Sequence, residues 1–146
     1  MRVLALALLA LLAIAGKSEA QTKASDQRVR DYATMLVSDH STHLAKTIEV
    51  ITDEDVGAEP LAFDPEVIRM REVLTALRTR AGSADWDAAF LRFQISHHQN
   101  EIDLLTPVIK NAHDDDLEEL IEGTLQSLAK HRDAARSVAT TLGFSQ

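Results

Sequence analysis

Apolar residues recur every three or four positions along most of this chain, and at ~100° per residue that spacing lays them on one face of a helix. From Ser25, read as an N-cap, the set Val29, Ala33, Leu36, His40, Leu44, Thr47, Ile48 and Ile51 predicts a long first helix. An acidic connection from Thr52 to Pro60 should follow, and Asp64 and Pro65 open a short helix whose Val67, Met70, Leu74 and Leu77 face inward. Phe63 can staple onto Ile68 there. Gly82 and Ser83 end that helix and cap the next, which should run from about Ala84 to Asn111. Pro107 lacks an amide hydrogen, so this helix should kink or fray near Thr106. The last helix carries Leu117, Ile121, Thr124, Leu128, His131, Ala135, Val138 and Leu142 at alternating spacings of four and three, with Gly143 as terminator.

The first fifteen residues do not fit that pattern. Met1 and Arg2 precede an unbroken apolar run from Val3 to Ala15, and Gly16-Lys17-Ser18-Glu19-Ala20 then supplies small residues at Ser18 and Ala20. Residues 1–20 are read as a secretory signal peptide cut after Ala20, because the run is too short to span a bilayer. Residues 25–143 form the remaining domain, placed in the periplasm or secreted, with no transmembrane anchor once the signal is removed. The chain has no cysteine, which excludes disulfides and a cysteine-linked lipid anchor.

Composition sharpens the fold class. Three prolines, five glycines and 4% aromatic residues in 146 leave few strand or turn signals, so the expectation is all-α: three long helices and one short one. The formal charge of −8 moves to about −9 without residues 1–20. An acidic surface without a basic stripe argues against nucleic acid and anionic lipid as partners and leaves cations or cationic partners.

The third predicted helix carries the chemistry. Arg92, Ser96, Gln99, Asp103 and Thr106 form its solvent face, while Trp86, Phe90, Leu91, Ile95, Ile102, Leu104, Leu105, Val108 and Ile109 lie opposite. Gln94, His97, His98 and Glu101 fall inside the apolar arc, where an unsatisfied polar group costs about 1–3 kcal/mol. His40 sits at the centre of the first helix's stripe, with His43 at its edge, and His131 takes an apolar seam position in the last. Imidazoles from three helices, His40, His131 and His98 or His97, can surround zinc, copper or iron, with Glu101 as carboxylate and Gln94 as a supporting acceptor. Two other readings stand beside it: a structural layer of hydrogen-bonded core histidines in a stress-associated envelope protein, and a pH sensor that charges on acidification. A di-iron bundle needs Glu-x-x-His on two helices, and none occurs here. Nucleophile elbows and phosphate-binding glycine loops are also missing, which argues against an enzyme.

The segment from Val29 through Asp39-His40, the run Trp86 to Leu91 with Gln94 and His98, and Thr124-Leu125-x-x-Leu128-x-x-His131 resemble a group of exported bacterial ferritin-like proteins. That group is catalogued as a domain of unknown function and often labelled predicted outer membrane proteins. The resemblance covers Ser25 to Leu142 and implies a ferritin-like bundle in the cell envelope without an established reaction. It also implies that His40, His98 and His131 are the family's histidines, favouring His98 over His97. The paired His97-His98-Gln99 resembles a related exported family as well, but the methionine pattern expected there is absent. One departure stands out: a long helix normally precedes the Val29 segment, and here the signal peptide occupies its place. A bundle short of a helix exposes apolar surface, which a homodimer or residues 1–24 would have to cover.

Overall fold

The computed structural model describes residues 20–53, 75, 83–110 and 115–144. Three long helices carry the fold: α1 (Gln27–Asp53), α2 (Ala84–Ile109) and α3 (Asp115–Thr141). The described residues contain no strand, in agreement with the all-α expectation, and a short helical stretch from Ala20 to Lys23 precedes α1. No helix among them is long and apolar enough to cross a membrane. The apolar run before Ala20, the Glu54–Pro60 part of the connection, the Phe63 staple, His113 and, apart from helical Thr75, the expected short helix lie outside the described residues.

Contacts between the helices set their directions. Asp87, in the first turn of α2, accepts hydrogen bonds from the amide and hydroxyl of Ser25 (2.9 and 2.6 Å) and from the Asp26 amide (2.8 Å), so α1 and α2 begin at the same end. The Tyr32 hydroxyl donates to the His131 carbonyl (3.1 Å), and Thr124 meets His43 (2.7 Å), so α3 runs against α1. The core follows the inward faces: Val29, Tyr32, Ala33 and Leu36 from α1, Trp86, Phe90 and Leu91 from α2, and Ala135 and Ala139 from α3. Trp86 stacks on Phe90 at 5.1 Å, and Phe90 meets Tyr32 edge-on at 6.2 Å. Each large side chain taken out of water here contributes about 1.5–3 kcal/mol.

Helix ends depart from expectation in instructive ways. Ser83 caps α2 as expected, accepting from the Trp86 amide at 3.1 Å. Ser25 does not cap α1, because its polar atoms are committed to Asp87; Asp26 takes the role, accepting from the Arg28 amide at 2.8 Å. Gly143 ends α3 at φ 72°, with the Phe144 amide reaching the Ala139 carbonyl (2.9 Å) and the Gly143 amide that of Thr140 (3.1 Å). That pairing closes the helix with a left-handed residue. α2 continues through Pro107 for two more residues. Leu104, expected inside, is 63% exposed, because this end of α2 buries Leu105 instead. Ala20 and Ala24 are buried in the core, and the Arg30 guanidinium holds the Ala24 and Ser25 carbonyls at 2.6 and 3.0 Å.

Candidate metal centre

The layer above the Tyr32–Phe90 packing is polar. His40 follows Leu36 by one turn on the buried stripe of α1, His98 follows Gln94 by one turn on α2, and His131 lies between Leu128 and Ala135 on α3. The same 3.6-residue period that buries their apolar neighbours therefore turns all three rings inward. Their exposures are 9%, 0% and 2%. Ring centroids lie 5.9 Å apart for His40–His98, 5.1 Å for His40–His131 and 5.4 Å for His98–His131. One nitrogen from each ring falls within 4.8 Å of the other two.

Hydrogen bonding identifies which nitrogens face the group. His98 Nδ1 is 2.7 Å from the Gln94 backbone carbonyl, which can only accept, so Nδ1 carries the hydrogen and the neutral ring keeps its lone pair on Nε2. His131 Nε2 is 3.0 Å from Asp39 Oδ2, so its hydrogen sits on Nε2 and the lone pair on Nδ1. An imidazole bound to a metal ordinarily donates its other N–H to a carbonyl or carboxylate, which fixes ring and tautomer. Both rings show that arrangement. The Lys130 ammonium also reaches Asp39 Oδ2, at 3.1 Å. The His131 hydrogen bond, followed by Lys130, holds the Asp39 carboxyl below the usual carboxylate range. Tyr32 fixes the His131 main chain from below, and burial pushes its hydroxyl well above the ordinary phenol range, so it stays protonated.

The other expected residues are not among the three that converge, although the His97 ring lies 5.9 Å from that of His98. His97 is buried, stacked on Phe93 at 5.3 Å and 7°, with Nε2 3.5 Å from Glu101 Oε1. His97 and Glu101 thus form their own pair and are not among the three rings that converge. The position of His97, 100° around the helix from His98, accounts for this. Gln94 supports the site through its backbone carbonyl, not its side chain; the buried side-chain carbonyl makes no hydrogen bond among the described residues. His43 lies half-buried one turn beyond the layer, donating from Nε2 to Thr124 Oγ1, whose own hydrogen goes to the Leu120 carbonyl at 2.6 Å. Burial, and then Lys46 nearby, push the His43 imidazole below the ordinary histidine range. Asp39 was not among the expected site residues. Its signal was the Asp39-His40 pair, with the aspartate on the flank of the stripe.

The residues suit a transition metal: three nitrogen donors from three elements, with lone pairs directed by fixed partners at two of them. Neutral imidazoles suit zinc, copper or iron and do not suit magnesium or calcium, which take oxygen ligands.

The chain belongs to the family described as Domain of unknown function (DUF4142), whose model matches residues 5–138. No curated protein and no solved structure matches it.

Proposed function

We propose that this protein is an exported, ferritin-like helical bundle of the cell envelope that binds one transition-metal ion, zinc, copper or iron, between His40, His98 and His131. The observation that carries the reading is the convergence of one nitrogen from each of three buried rings within 4.8 Å. It is supported by the partners of the opposite nitrogens, the Gln94 carbonyl and Asp39. In this role Asp39 and Gln94 orient the rings, and the surrounding core of Leu36 and Leu91 excludes water. Among the described residues the layer offers no activated side-chain nucleophile, and the reading is of metal binding.

A metal that binds only the folded chain stabilises it by about 2.7 kcal/mol at a hundredfold excess over the dissociation constant. Zinc or copper added to the chelator-treated protein should therefore raise its melting temperature by several degrees, and His98→Ala should abolish the rise. A melting temperature indifferent to metals and chelators removes the site. In that case His98→Leu should be tolerated or stabilising, as expected of a layer whose histidines only fill space and hydrogen-bond.

A further inference from the structure

The three rings are buried, so an ion must pass another group to reach them. Next to them, residues of α1 and α3 line an open groove of about 920 Å³. Asp39 and His43 line it from α1, and Glu119, Glu122 and Lys130 from α3. Asp39 belongs to both places: it lines the groove with about a third of its side chain exposed, and the same carboxylate holds the buried His131 at 3.0 Å. Its Oδ2 also carries the ammonium of Lys130, a side chain 65% exposed, at 3.1 Å. A monovalent cation thus rests on the oxygen nearest a candidate ligand, at the groove's inner edge.

We propose that this groove is the ion's entrance to the three histidines, with Asp39 as the last carboxylate on the way and Lys130 as the resident cation that an incoming ion displaces. The proposal rests on the metal-binding reading above. Carboxylates at Glu119 and Glu122 raise the local concentration of a dication, as charged clefts do for their substrates. The His43 imidazole lines the groove from α1 and is hydrogen-bonded to the buried Thr124 of α3, which lies in sequence between those carboxylates and His131. At Asp39 the ion competes with one flexible ammonium whose exposed ion pair is worth little. Once the ion is between the rings, Lys130 returns to Asp39. Lys130 is then a gate that changes the rate of exchange and leaves the equilibrium nearly unaltered.

Stopped-flow mixing of the metal-free full chain with Co²⁺, followed by the visible absorption of nitrogen-coordinated cobalt, tests this directly. Lys130→Met should speed association and dissociation together, by about tenfold, with the dissociation constant staying within about twofold. The double variant Glu119→Gln, Glu122→Gln should slow association by a similar factor, and moderate salt should erase the difference. Asp31→Asn, an exposed carboxylate outside the groove, is the control and should change neither rate. If the parent protein develops no cobalt band, the metal site itself is wrong and the entrance falls with it. If the band forms with the same rate in the parent, the Lys130 variant and the glutamate double variant, the site stands and the entrance is overturned.

Discussion

Asp39 joins a buried ring to the surface through one oxygen atom, and its replacement separates orientation from stability. Asp39→Asn should weaken metal binding about 10- to 100-fold, the usual effect of losing a ligand's hydrogen-bonded carboxylate, as read by titration calorimetry. Folding stability should change little, because Asp39 is partly exposed. His43 makes a second prediction. Burial and Lys46 depress its folded-state pKa, so below the unfolded value near 6.5 the unfolded chain binds the proton more readily. Stability is therefore full above about pH 6.5 and falls as pH drops from there toward the folded pKa. Urea denaturation at neutral and mildly acidic pH should show that loss, and His43→Gln should reduce it. The three converging histidines were legible in the sequence because each interrupts an apolar stripe. Asp39 was marked only by its place beside His40, since a flank position carries no periodic pattern of its own. The choice between His97 and His98 was open on periodicity alone: both fall within one arc, and only the neighbouring helices decide which ring meets the others.

The helices themselves follow from their periodic faces, and their ends follow where the cap is local. Ser83 reaches the Trp86 amide three residues on, and Gly143 supplies its own left-handed turn, so both could be read directly. Ser25 could not, because the group that claims it lies 62 residues away. The same contact gives the strongest element-scale prediction. Asp87 is 1% exposed and accepts three hydrogen bonds at the start of α1. Asp87→Ala removes all three hydrogen bonds from partly buried donors and should cost about 2 kcal/mol, measured as a lowered urea midpoint. A loss near zero would mean that water replaces the carboxylate without penalty. Leu104 shows the limit of reading a face from spacing: the apolar arc of α2 is wider than the surface its neighbours cover among the described residues.

For the molecule as a whole, all-α architecture follows from composition and period together, while the fate of the N-terminal segment does not. Ala20 is fully buried beside the α1 core and Ala24 nearly so, and the family match begins at residue 5. Cleavage after Ala20, proposed for export, would give a chain beginning at Gln21 and remove one buried methyl group from the core. Intact-mass analysis of the envelope fraction should return that shortened chain; a mass that retains residues 1–20 would overturn the cleavage.

The Asp87 contact also bears on how the protein assembles. α2 and α3 are joined by only five residues, 110–114, so their pairing closes a short loop. The hydrogen bonds that fix α1 instead span 61 to 99 residues, from Asp26–Asp87 to Tyr32–His131. Closing long loops costs more chain entropy and slows folding. The α2–α3 hairpin is thus the natural nucleus and α1 the late arrival. On that order His40, carried by α1, would complete the three rings last, and an ion held between them would act chiefly by slowing the departure of α1.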